Sequence, residues 1–454
     1  MRQRRCLVLM IFFFLIPMVA QADLSVRECI KGPSSGRWEL PGDSVWRTVL
    51  TLQFSNVLSS DVIAQAAITY HEGPGQTGVK VEYQLVLDSV SSFTMQHRPQ
   101  TGFPTAKMLR ASFPDVAAGP HTLELRARST SSFSAYFAQA WLAPVLVEST
   151  EAGSSGVASA SLTTPSTNTW TTLVTTTVSP PSGRAVVLGA YSAATAGPLN
   201  QLIEYRILRG STVIGTFFDS VGSYLPSGQS FAMMDRTPGS SSVTYSLQAR
   251  TTGGATTFST RRLLTQTIPG DLTVYEGSVT NVSIPADMAW HPLVSSSSVV
   301  LSPASVGPYG TRGFGFASVT YNGAYNNEAL LRFNFLADKA WEVGVRPVHG
   351  TGSKTVLEGL ISDWERLGFS AGNSYSMQLN AVGQCSSGSN LSVRSARFQI
   401  VVLPDNDGFV TPVVCAAHPG TCCSDFPSTC SAYTCTAGSL ATVSGPGTDC
   451  PVPP

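Results

Sequence analysis

Three times along this chain a tryptophan opens an apolar strand behind a polar, turn-rich stretch. The three are Trp46-Arg-Thr-Val49-Leu50, Trp170-Thr-Thr-Leu173-Val174 and Trp290-His-Pro-Leu293-Val294. The tryptophans stand 124 and 120 residues apart. A period of that length is a domain rather than a solenoid turn, so each copy can bury a core of its own.

Three further landmarks keep their order within each copy. The first is an alternating strand: Val81-Glu-Tyr83-Gln-Leu85, Ile203-Glu-Tyr205-Arg-Ile207 and Leu331-Arg-Phe333-Asn-Phe335. Its period of two predicts one face on a core and the other in water, with Glu82, Glu204 or Arg332 on the wet side. The next follows a turn that holds Gly119, Gly239 or Gly372. It reads Leu123-Glu-Leu125-Arg-Ala127, Tyr245-Ser-Leu247-Gln-Ala249 and Tyr375-Ser-Met377-Gln-Leu379. The last closes each copy: Gln139-Ala-Trp141-Leu142, Arg261-Arg262-Leu263-Leu264 and Ala396-Arg397-Phe398-Gln-Ile400. The repeat also overrules a local pattern. Leu357 to Leu367 looks helical alone, yet it falls in register with Lys107 to Val116 and Ser230 to Thr237, so strand is expected around Ile361 to Leu367.

The fold class that follows is all-β: three tandem β-sandwiches over residues 23–150, 151–270 and 271–404, then a cysteine-rich tail over 405–454. About eight short strands per 120 residues fit a jelly roll. The landmarks W-x-x-[LV], [VI]-E-Y-[QR]-[LI] and L-x-L-R or Y-S-L-Q resemble repeats of bacterial extracellular proteins, of the C1q- or TNF-like jelly-roll kind. The resemblance covers residues from about 40 to 403. It implies a fold, and trimerisation or binding by analogy, and it carries no catalytic residue.

Residues 1–22 read as a secretory signal. Arg2, Arg4 and Arg5 precede a short apolar core, and Ala20-Gln21-Ala22 is a cleavage site, so the mature chain is expected to begin near Asp23. No later run is long and apolar enough to span a membrane. Loss of Cys6 with the signal leaves eight cysteines: Cys29, Cys385, Cys415, Cys422, Cys423, Cys430, Cys435 and Cys450. An even number in an exported chain, with irregular spacings and no CxxC pair, points to disulfides rather than metal. The tail is poor in apolar residues and needs covalent staples to hold a shape. Six tail cysteines allow fifteen pairings, and Cys29 and Cys385 are candidate ties back to the sandwiches.

Charged residues make up 12% of the chain and the formal net charge is zero. Such a surface has no electrostatic footprint for nucleic acid. It suits assembly or a packed extracellular layer.

Motifs for chemistry are sparse. The histidines, His71, His97, His121, His291, His349 and His418, form neither HExxH nor an i, i+4 pair. Gly32-Pro-Ser34-Ser-Gly36 matches G-x-S-x-G by letter but lacks the strand and helix of a nucleophile elbow. Asp405-Asn-Asp407-Gly408 reads as an Asx turn, because the other ligands of a calcium loop are missing. Glu82 and Glu204 could suggest a glycosidase pair. Arg332 replaces them in the third copy, and they read instead as cross-strand partners of an arginine such as Arg126.

The candidate ligand platform is aromatic and confined to the third copy: Trp341, Trp364, Tyr309 and Tyr321. No cofactor or metal is expected. The function expected is that of an exported, non-enzymatic structural or adhesive protein, secreted, extracellular or at the cell surface, or periplasmic in a bacterium. It would be a rod of three sandwiches whose partners are glycans or other surface proteins, with oligomers allowed. Alternatives are a secreted hydrolase or enzyme accessory module with a cryptic carboxylate site, and a subunit of a surface filament.

Peptide mapping without reductant should find no free thiol at Cys29, Cys385 or the six tail cysteines. Stoichiometric alkylation of any of them in the native mature chain would sink the disulfide framework.

Overall fold

In a computed structural model, the residues described are 25–26, 30–32 and 38–404, apart from 57, 73–78, 99–104, 149–152, 166–167, 199–200, 221–226, 286–288, 308–309, 323–326, 335–339, 344–354, 362–369 and 386–389. The tail lies outside them.

The first sandwich contains β1 (Ser25–Val26), β2 (Ile30–Gly32), β3 (Trp38–Leu40), β4 (Arg47–Asn56), β5 (Ser60–Glu72), β6 (Val81–Leu87), β7 (Val90–Ser91), β8 (Met95–His97), β9 (Thr105–Val116), β10 (Gly119–Ser129) and β11 (Ala135–Glu148). The second contains β12 (Gly153–Ala158), β13 (Leu162–Thr164), β14 (Thr171–Val178), β15 (Arg184–Ala196), β16 (Leu202–Arg209), β17 (Thr212–Ser220), β18 (Ser227–Asp235), β19 (Val243–Thr251) and β20 (Thr256–Pro269). The third contains β21 (Thr273–Ile284), β22 (Trp290–Ser295), β23 (Val299–Val300), β24 (Thr311–Asn322), β25 (Asn327–Asn334), β26 (Ala340–Val343), β27 (Thr355–Ile361), β28 (Ser374–Tyr375), β29 (Gln378–Cys385) and β30 (Leu391–Pro404).

One strand order recurs in all three. The inner sheets run β1-β11-β5-β9, β12-β20-β15-β18 and β21-β30-β24-β27. The outer sheets run β4-β10-β6-β7, β14-β19-β16-β17 and β22-β29-β25-β26. Every pairing is antiparallel, and the chain crosses between sheets in the alternation that defines a jelly roll. The turn glycines have their expected role. Gly119, Gly239 and Gly372 have φ of 135°, 91° and 81°, a region other residues avoid.

The outer sheets alternate as the sequence implies. β10 and β19 bury every second residue, and Leu123, Leu125 and Ala127 have no exposed surface. The middle strands β5 and β15 of the inner sheets do not alternate, because both of their faces are covered. On β5, Val62, Ala64, Ala66 and Ile68 point into the first sandwich. Their neighbours Ile63 and Ala67 belong to a different cluster, together with Met108, Ala143, Val145 and Val147. That cluster extends through Val187 and Met234 of the second sandwich to Val274, Phe316, Val401 and Leu403 of the third.

The three inner sheets thus meet around one centre. β18 packs on β8 and β9, β17 packs on β24 and β27, and β27 closes the circle on β5 and β9. The rod anticipated from a tandem repeat is replaced by a closed cluster, for a simple reason: an inner sheet with two apolar faces cannot leave one in water.

Polar clasps fix the register of the sandwiches. The Gln96 amide N–H donates to the Tyr191 hydroxyl (3.0 Å), and Gln266 Nε2 donates to Asp61 Oδ2 (3.2 Å). Lys107 donates to Gln229 Oε1, and the Ser230 hydroxyl donates to the Met108 carbonyl. Gln399 pairs with the Met234 backbone like a strand, accepting at 2.8 Å and donating at 3.0 Å.

Two local expectations shift. The segment that looks helpful to a helix forms strand β27 at Thr355–Ile361, ahead of the expected span, while residues 362–367 lie outside those described. The polar face of β6 and β16 is buried rather than wet: Glu82 is 4% exposed and Glu204 7%.

Gly228 marks the closest approach of two sandwiches. A Cβ there would stand 2.1 Å from the Gln96 carbonyl oxygen and 2.8 Å from the Tyr191 hydroxyl. Gly228→Ala should therefore destabilise by about 1–3 kcal/mol, the usual cost of overpacking. Chemical denaturation checks this, and an unchanged midpoint would show that the two sandwiches are not seated here.

Candidate functional site

The aromatic platform does not gather on one sheet. Trp341 lies on β26, opposite Phe333 at the edge of the outer sheet. Tyr321 lies on β24 of the inner sheet, opposite Val393 and Thr355. Tyr309 and Trp364 are outside the described residues, as are Cys29 and the six tail cysteines. Cys385 ends β29, opposite Asn327. Among the described residues, no group of three or more His, Cys, Asp or Glu could hold a metal, and no helix is long and apolar enough to cross a membrane.

The repeated tryptophans and glutamates do converge, and they explain why β6 and β16 are buried on both faces. Arg128 on β10 sits directly opposite Glu82 on β6. Its Nε and Nη2 donate to Glu82 Oε2 at 2.8 and 2.7 Å, and its guanidinium lies 4.6 Å from the Trp46 ring centre. Gln96 Nε2 satisfies the other carboxylate oxygen at 2.9 Å. The second sandwich repeats the arrangement. Arg250 faces Glu204, donates to it at 2.6 Å, and stacks with Arg206 on Trp170 at 4.7 and 4.1 Å. A guanidinium sandwiched between a carboxylate and an indole meets both its charge and its flat apolar faces. The partner of Glu82 is therefore Arg128, while Arg126 pairs with Glu124 on its own strand. In the third sandwich Arg332 takes the glutamate's place, and the register sets it opposite Asn380 on β29 and Glu342 on β26.

These clasps hold strands together. An arrangement with free capacity lies instead at the junction of the sandwiches. A cleft there is bounded by Phe93, Met108 and Arg110 of the first sandwich and by Tyr191, Ser230 and Arg262 of the second. Its water-sized space is about 10 Å³, near the minimum one water needs. Arg110 is 7% exposed, and neither Nη1 nor Nη2 has a hydrogen-bond partner. Its Cδ lies 3.0 Å from where a Cβ on Gly189 would stand, and its guanidinium is 5.8 Å from the Phe316 ring of the third sandwich. Burial pushes its pKa down to about 9. Arg262 covers the Phe93 ring at 4.4 Å, burial lowers its pKa, and its Nε also lacks a partner. Gln65, paired with Arg110 across β5 and β9, has both amide atoms buried and unpaired.

Arg110 and Gln65 do not stand out in the sequence. A lone arginine in an apolar strand reads as the solvent face, and its only signal is that β5 and β9 fail to alternate. Arg262 falls in a repeat landmark, but its stacking partner comes from another sandwich.

His97 lies beside this junction on β8. Burial holds its pKa well below the usual histidine value, helped by Lys107 and opposed by a hydrogen bond with the Gly228 backbone.

Neither a protein-family model nor a curated protein sequence matches this chain. Some solved structures are weakly similar. A protein of an archaeal virus, described with a triple jelly-roll fold and a turret assembly, is 11% identical, with 78% of this chain and 83% of that one covered at a TM-score of 0.16. The infectious bursal disease virus VP2 subviral particle is 7% identical over 85% and 83%, at 0.22. PNGF-II is 6% identical over 75% and 98%, also at 0.22. Likeness of this degree leaves the fold to be read from strand order and the function from the residues.

His97 stays neutral in the fold while the unfolded chain takes up a proton near pH 6.5. The unfolded state then binds more protons, so stability present above that pH is lost as pH falls below it. Unfolding midpoints should drop from pH 7 to 5, and His97→Gln should flatten that slope. An equal slope in the variant would assign the acid lability elsewhere.

Proposed function

We propose that this chain is an exported, non-enzymatic structural and adhesive protein of the cell surface or extracellular layer, with glycans or other surface molecules as partners. The observation that carries this is the disposition of the six sheets. The inner sheets bury one another, while β4, β10, β14 and β19 keep an alternately exposed face on the outer sheets. Faces of this kind are thus carried by the first and second sandwiches around one centre, and weak sites on each would act together with gain in avidity. Glu82 with Arg128 and Glu204 with Arg250 are engaged in strand clasps, which suits a structural role. The C1q- and TNF-like resemblance implies trimerisation, and here three linked copies would take the place of three subunits.

The signal-like residues 1–22 support a place outside the cytoplasm, and the tail, if its cysteines pair, would cap or attach the protein. Fractionation with N-terminal sequencing should find the mature chain, starting near Asp23, in the surface or extracellular fraction. A glycan array should show binding without cleavage. A chain retained in the cytoplasm with residues 1–22 attached, or glycan hydrolysis, would overturn the proposal. Silence on the array together with concentration-dependent polymers would favour a filament subunit.

A further inference from the structure

We propose that the cleft between the first and second sandwiches is a binding site for a single-atom anion of the chloride class, held by Arg110 and Arg262. Two independent observations meet there, and a third follows from the burial. The cleft is present and lined by both arginines. The Arg110 guanidinium is buried with Nη1 and Nη2 unsatisfied, and Arg262 Nε is unsatisfied as well. The charge of Arg110 is opposed by burial, with no carboxylate among the described residues acting on it.

A buried cation is retained where something pairs with it. Two arginines converging on one space set the sign of that partner. Asp61, on β5 with Gln65 that stands opposite Arg110, accepts instead from Gln266 and from the Asp115 backbone. Space sets the size. The free space, about 10 Å³, is near that of one water, which points to a single-atom ion. Chemistry sets the kind. The walls are guanidinium edges, the aromatic rings of Phe93 and Tyr191, and Met108. Such a lining favours a polarisable, weakly hydrated monovalent ion. The Ser230 hydroxyl is already committed to the Met108 carbonyl, so the donors on offer are those of the arginines.

The site would also lock the assembly. Arg110 belongs to the first sandwich, Arg262 to the second, and Phe316 beneath Arg110 to the third. An anion here neutralises charge where all three meet.

Two measurements on the mature full-length chain test this. In thermal melts at constant ionic strength, replacing gluconate with chloride or bromide should raise Tm along a saturating curve, and Arg110→Met should abolish the saturating part. Crystals grown in bromide should show an anomalous peak between Arg110 and Arg262, which needs no variant to fold. A halide effect that is linear without saturation, one that survives Arg110→Met, or a cleft holding only water in bromide-grown crystals would each overturn the proposal.

Discussion

The architecture depends on one constraint: the inner sheet of each sandwich is apolar on both faces. One face fills its own core, and the other must be removed from water by something else. In this chain the something else is the other two inner sheets. From the first sandwich alone, Ile63, Met108, Val145 and Val147 enter the shared cluster and are at most 3% exposed. Burying four such side chains is worth on the order of 6–12 kcal/mol before ordering costs. That is comparable with the whole net stability of a domain. The junction is therefore part of what folds, and one sandwich separated from the others would expose an apolar sheet.

Apolar burial is not directional, so the clasps decide how the sheets seat. The Gln399 amide imitates a strand partner for Met234, and Tyr191 and Gln96 do similar work between the first two sandwiches. Such bonds add about 1 kcal/mol each. Their larger effect is to make any other seating leave buried donors and acceptors unpaired. On the outer sheets the corresponding role falls to the guanidinium stacks, which let Glu82 and Glu204 sit in the middle of a strand without becoming isolated charges.

Much of the fold was legible because it rests on local periodicities. Strands β10 and β19 alternate as written, and Gly119, Gly239 and Gly372 adopt the backbone their turns demand. The repeat register pointed to strand around Ile361 to Leu367 where the local pattern looks helical, and the strand found, Thr355–Ile361, lies ahead of that span. The closed arrangement was legible only in an omission. Ser60-Asp-Val-Ile-Ala-Gln-Ala-Ala-Ile68 and Ala185-Val-Val-Leu-Gly-Ala-Tyr191 lack alternation, and a strand without alternation is covered on both sides. Glu82 misled for the opposite reason. Its strand alternates as written, yet an arginine and an indole from neighbouring strands cover the polar face, and those partners lie 46 and 36 residues away in sequence. The junction arginines were hidden for the same cause, since their environment is made by three sandwiches at once.

Linking the three sandwiches in one chain changes what the centre can contain. In a symmetric trimer of identical subunits, a residue near the axis occurs three times. Three guanidiniums within one dry junction would repel one another strongly at low dielectric. Copies on one chain are free to diverge. Arg110 stands at the junction, with Gly189 of the second sandwich and the Phe316 ring of the third set against it. The same freedom shows on the outer sheet, where the third copy puts Arg332 in the glutamate's place and Asn380 in the arginine's, with Glu342 opposite Arg332 on the other side. The fold keeps its threefold repetition in the backbone, where strand order and turn geometry enforce it. It abandons that repetition in the side chains nearest the centre, where Arg110 stands once rather than three times.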